Sequence, residues 1–158
     1  MPPPLLIDLG KIDLRRVCLT QEQIYEYLPH RFEFMLLDGV CHIAVEAGRI
    51  VAFRDINPDD WWFRGHVPGR PLLPGVLMLE MAAQTSAVLA KIKGGHDDFI
   101  AFGGVARCKF RDTVVAPARL HILCVGTEQR SRRIISDTQG VVDGRLIFEA
   151  QITGLRMR

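Results

Sequence analysis

Residues 71–90, PLLPGVLMLEMAAQTSAVLA, hold a single charge, Glu80, in twenty positions. That length is enough to cross a bilayer, but Pro71, Pro74, Gly75, Glu80 and Gln84 make a poor spanning helix. The stretch reads instead as the core segment of a soluble protein. A helix is expected from about Leu73 to Lys91, opened by Pro74 and Gly75 and followed by Gly94-Gly95. Its residues leave almost no polar face, and a helix apolar all round is buried on all sides. Glu80 and Gln84 are spaced i, i+4 and share one face.

Outward from this helix, the chain reads mostly as strand. Thr20 before Gln21-Glu22-Gln23 has the form of a capping box, opening a short helix that ends before Pro29. Two strands turning near Glu46-Ala47-Gly48 fill Leu36 to Ile56, and a loop rich in Trp, Gly and Pro covers Asn57 to Arg70. After the helix, Val105–Arg111, Arg119–Val125 and Arg145–Thr153 each alternate apolar and polar residues, the mark of an antiparallel sheet with one buried face. One apolar helix followed by a run of strands predicts an α+β domain whose sheet wraps the helix. Residues 1–19 read as an N-terminal extension, and residues 20–158 as one domain.

With 158 residues, 48% of them hydrophobic, the chain can bury a core without disulfides or metal. Cys18, Cys41, Cys108 and Cys124 are too scattered for a zinc site and read as free thiols. The N-terminus lacks the basic region and apolar run of a secretory signal, so a cytoplasmic location is expected. The net charge of +2 hides an asymmetry. Residues 1–100 carry ten Lys/Arg against thirteen Asp/Glu, and residues 101–158 carry ten against five. Arg107, Lys109 and Arg111 stand at alternate positions, either as a solvated strand face or as a docking surface for an acidic partner. No aromatic residues interleave with these charges as a nucleic-acid stacking platform requires.

Three residues suggest chemistry. His66, in a loop stiffened by Gly65, Pro68 and Gly69, could act as a base near neutral pH; a lone loop histidine is more often a surface residue, but flanking Trp61, Trp62 and Phe63 suggest an apolar wall beside it. Glu80 lies among Leu77, Leu79, Met81 and Ala83. Burial there should raise its pKa and favour the protonated acid, unless it serves a structural ion pair or faces a second subunit. Gly75 offers a backbone N–H at the positive end of the helix dipole, where an oxyanion could be held. It could also be an ordinary turn glycine. Base, acid and N–H donor together suggest proton abstraction beside a carbonyl with departure of a protonated group. Nucleotide-binding and zinc-protease motifs are absent, as is a serine elbow.

The run from Gly65-His66-Val67-Pro68-Gly69 through Leu73-Pro74-Gly75 to Glu80-Met81-Ala82-Ala83-Gln84 resembles the signature of the FabA/FabZ-type (3R)-hydroxyacyl-[acyl-carrier-protein] dehydratases. The likeness takes in Leu28-Pro29-His30-Arg31, Lys109-Phe110-Arg111 and Glu149-Ala150, and so covers roughly residues 20–155. It implies a hotdog fold and homodimers whose active sites combine His66 of one subunit with Glu80 of the other. Trimers of dimers are common in the family. By resemblance, His66 would take the α-proton, Glu80 would help protonate the departing hydroxyl, Gly75 would hold the thioester carbonyl and Gln84 would support Glu80. Glu rather than Asp at position 80 implies dehydration without isomerisation. No metal or organic cofactor is expected. Acyl carrier protein is the expected partner, with Arg107, Lys109 and Arg111 as its docking candidates.

The chain departs from the family pattern at Val67, at Ala106 and at Ala116-Pro117-Ala118. A hotdog thioesterase and a silent acyl-binding subunit are the rival readings.

Overall fold

The computed structural model describes residues 1–95 and 98–157. Thr20 caps the first α-helix, α1 (Gln21–Tyr27). Its hydroxyl accepts from the Gln23 N–H while the Gln23 side chain accepts from the Thr20 N–H, so the predicted capping box is present. The strands are β1 (Leu19–Thr20), β2 (Gly39–Ala44), β3 (Arg49–Ile56), β4 (Phe99–Phe110), β5 (Ala118–Gln129), β6 (Arg133–Val142) and β7 (Arg145–Met157). They form one seven-stranded antiparallel sheet in the order β1-β2-β3-β5-β6-β7-β4. The long helix α2 (Gly75–Gly94) carries the chain from β3 to β4 at the far edge of the sheet, and β5 then returns to pair with β3.

The inner face of the sheet packs on α2. Met78, Met81 and Val88 of the helix share one core with Ile122 of β5 and with Phe148 and Ile152 of β7. The helix ends where Gly95 adopts φ 59° and its N–H donates to the Lys91 carbonyl. Glycine takes this left-handed turn without strain. The 18-residue apolar window of α2 has the length and composition of a membrane span, but 56% of it is buried inside the protein.

Three expectations need correction. Burial of α2 is not complete, because Val76 is exposed and Leu79, Glu80 and Ala83 are only half-buried. Residues 84–90 are buried, whereas this stripe near the helix start and the last turn around exposed Lys93 are not. The alternation in Val105–Arg111 does not give one buried face. It lies in edge strand β4, where a bulge between Ala106 and Lys109 puts Arg107 at φ 49° and resets the pleat. An unforeseen strand, β6, lies between β5 and β7.

Residues 1–19 are built into the fold. Ile7, 4% exposed, packs with Leu5, Leu6, Leu9, Ile12 and Leu14 on the outer face of the sheet, over Val51, Phe53, Leu123 and Val141. Gln139 clamps this segment at both ends of its amide, accepting from the Leu6 N–H at 2.8 Å and donating to the Pro4 carbonyl at 3.1 Å.

Candidate functional site

Glu80 sits in the second turn of α2, on the open stripe, with its side chain 23% exposed. Two groups hold it. His30 places Nε2 3.3 Å from Glu80 Oε1, and Gln84 donates its amide N–H to the same oxygen at 2.9 Å. The orientation of Gln84 is fixed by a hydrogen-bonded chain. The Leu37 N–H donates to the Tyr25 hydroxyl at 2.9 Å, which leaves that hydroxyl to donate to Gln84 Oε1 at 2.6 Å. The Gln84 amide nitrogen then faces Glu80 and the Phe34 carbonyl. Burial pushes the Tyr25 phenol well above its ordinary pKa, so it stays a donor.

The protonation expected of Glu80 is reversed. Burial does push its carboxyl up, but hydrogen bonds from His30 and Gln84, with the charge of His30, outweigh that and hold it below the ordinary carboxylate value. Composition around Glu80 could not reveal this, because His30 lies fifty residues away, just after α1. The segment Leu28-Pro29-His30-Arg31 was visible in the sequence without a role for its histidine. His30 is thus the site residue that residue-by-residue reading missed.

Gly75 opens α2. The Leu77 and Met78 N–H groups both turn back to the Pro74 carbonyl, and among the described residues nothing accepts from the Gly75 N–H. That N–H is one of the free donors at a helix start, on the positive end of the dipole. The approach to it is set by two links, Leu72 paired with Val115 and the Leu73 N–H donating to the Val114 carbonyl at 2.9 Å. The Phe110 ring packs so closely on Gly75 that an added Cβ would lie 2.8 Å from it. A side chain of any size would displace that ring.

His66 lies in the turn-rich loop before α2, with its N–H on the Trp62 carbonyl at 3.0 Å. Trp62 and Phe63 turn into the core, and the Arg54 guanidinium lies 5.2 Å from the Trp62 ring while pairing with Asp60 at 2.7 Å. The His66 side chain is exposed. Within one chain, among the described residues, no hydrogen bond or ion pair joins it to Glu80, and it does not line the cleft beside Glu80.

The basic residues of β4 and Arg111, just after it, are largely engaged by the protein's own sheet. Arg107 pairs with Asp137 at 3.3 Å and Arg111 with Glu149 at 3.0 Å, while Lys109 is exposed without an ion-pair partner among the described residues. All four cysteines are free thiols.

Residues 28–151 match the FabA-like domain family. The chain is 35% identical over 134 residues to the 3-hydroxyacyl-[acyl-carrier-protein] dehydratase FabZ of Protochlamydia amoebophila, covering 85% of this chain and 87% of that protein. It is 38% identical over 148 residues to FabZ of Salmonella arizonae, covering 89% and 94%. In shape it is similar to the dehydratase heterocomplex ApeI:P of Xenorhabdus doucetiae, with a TM-score of 0.73 at 16% identity over 85% of this chain and 91% of that one. A hypothetical thioesterase from Streptococcus pneumoniae, solved with coenzyme A, shares the fold at a TM-score of 0.58 and 12% identity over 75% and 84%. The sheet wrapped on α2 is therefore a hotdog fold, common to dehydratases and thioesterases, and the sequence identity separates the two: the chain belongs to the FabA/FabZ-type 3-hydroxyacyl-[acyl-carrier-protein] dehydratase family.

Proposed function

We infer that the protein dehydrates a (3R)-3-hydroxyacyl thioester, carried on acyl carrier protein, to the trans-2-enoyl thioester. The observation that carries this reading is Glu80, held by His30 and Gln84 at the mouth of a cleft on a chain of this family. His66, from the partner subunit of a homodimer, takes the α-proton. The electron pair moves into the thioester carbonyl, whose oxygen is met by the Gly75 N–H. The Cα–Cβ double bond then forms as the C–O bond breaks, and the hydroxyl leaves as water with a proton from Glu80. Substrate entering the cleft displaces water and adds to the desolvation of Glu80, moving an ionised resting carboxylate toward the acid that the step requires. The thioester carbonyl is itself the electron sink, so this route uses no cofactor. Glutamate at position 80 supports dehydration without isomerisation.

The dimer reading is supported by the lack, among the described residues, of any hydrogen bond or ion pair joining His66 to Glu80 within one chain, by the open stripe of α2, and by exposed Phe99, Phe102, Val105 and Phe110 along edge strand β4. Lys109 is the cation of β4 left available to an acidic carrier. A cytoplasmic location accords with the four free thiols.

The test is turnover of a 3-hydroxyacyl carrier-protein substrate, with enoyl formation and thiol release followed together. Enoyl product without free thiol is expected, falling roughly 10²–10⁴-fold in His66→Ala and in Glu80→Gln. Thiol release without enoyl product would assign a thioesterase. Undiminished turnover in either variant would remove that residue from the mechanism.

A further inference from the structure

Two cavities lie along α2, one on each side of a common wall. The first opens beside Glu80 and His30 and runs past Ala83 and Ala87 of the helix, against Ile100 and Phe102 of β4. The second opens near the other end of the helix, with Lys93, Thr127, Glu128 and Gln129 among its lining. Ile134 and Ser86 line both. Ile134 is 3% exposed and lies across Gly154, where an added Cβ would come within 2.7 Å of Ile134 and 2.9 Å of Ile100. Behind it the hydroxyls of Ser86 and Ser136 are hydrogen-bonded at 2.8 Å, both buried. The absence of a side chain at Gly154 thus lets β6 push Ile134 into the line of the groove.

We propose that Ile134, backed by the Ser86–Ser136 pair, is the end stop for the acyl chain and sets the chain length the enzyme accepts. This rests on the dehydratase reading, which puts the reacting carbons at Glu80. From there the cleft offers the tail an apolar route, between the small side chains of Ala83 and Ala87 and the β4 residues facing them. Ser86 and Ala87 lie six and seven residues beyond Glu80, or about 10 Å along the helix axis. At that depth the chain meets Ile134. The cavity beyond has charged and amide side chains at its rim, a poor site for methylenes unless the wall is opened.

The experiment measures kcat/KM over 3-hydroxyacyl thioesters of graded length for the parent, Ile134→Ala and Ala87→Leu. Ile134→Ala should raise the ratio of long- to short-chain turnover by about tenfold or more, and Ala87→Leu should lower it, since a few methylenes in an apolar pocket are worth that much. Ile134→Val carries the same prediction at smaller amplitude if Ile134→Ala melts early. Length profiles of unchanged shape in these variants would overturn the end stop. A parent that dehydrates no member of the series would instead remove the catalytic reading. Calorimetric binding of unreactive acyl thioethers of graded length then tests the end stop alone. A preference for longer chains in Ile134→Ala supports it, and parental length dependence overturns it.

Discussion

His30 decides the resting state of Glu80, and its effect can be read as stability against pH. A carboxyl whose folded pKa lies below its unfolded value stabilises the fold above that unfolded value, about 4.3, and loses the contribution as pH falls through the folded pKa. Removing the imidazole in His30→Ala leaves Gln84 to oppose burial alone, and burial was the largest influence on Glu80. The variant should be less stable than the parent by about 1 kcal/mol at neutral pH, the scale of a hydrogen bond to a half-buried charge. The gap should close on acidification as Glu80 takes up its proton in both proteins. Urea unfolding at a series of pH values measures it. A gap that stayed constant into acid would mean that His30 acts by packing, for instance edge-on to Tyr25, and leaves Glu80 unaffected.

At the scale of elements, the start of α2 is a fitted joint. Phe110 of β4 lies on Gly75 and also 6.4 Å from the Phe148 ring of β7, so the helix mouth is indexed against the edge of the sheet. Gly75→Ala should cost about 1–3 kcal/mol through overpacking, and lower kcat more than it raises KM because the N–H donor shifts. Denaturant midpoints together with steady-state kinetics check both. This joint was half legible in the sequence: Pro74-Gly75 announced the helix start, but nothing near it named Phe110 as its neighbour. The helix itself was legible because a run with one charge has few other places to go. Strand β6 was not, because its inner face carries Ser136 and Thr138 where apolar residues are the usual signal. Their hydroxyls are satisfied by Ser86 and by the Ala150 carbonyl, partners that exist only after folding. The bulge at Arg107 was hidden for a similar reason, since a left-handed residue in an edge strand leaves no period to read.

The whole molecule has two faces and an edge, and they are finished differently. The outer face of the sheet is covered over Val51, Phe53, Leu123 and Val141 by the chain's own first residues, with Ile7 at the centre of that cover. The edge at β4 and the stripe Val76, Leu79, Glu80 and Ala83 of α2 are not closed, and they bring exposed apolar side chains beside a candidate catalytic group. Long apolar edge strands invite pairing with another chain. A symmetric pair would bury this surface and bring the partner's loop over Glu80. That geometry makes a prediction no intrasubunit site shares. In a hybrid of a His66→Ala subunit with a Glu80→Gln subunit, one shared site holds both substitutions and the other holds an intact His66 and an intact Glu80. Mixing the two inactive variants with subunit exchange should therefore restore roughly a quarter of parental activity, since half of the dimers are hybrids and each has one working site. Enoyl formation before and after exchange measures the rescue. If both residues served the site of their own subunit, every site in the mixture would lack one of them and no activity would return.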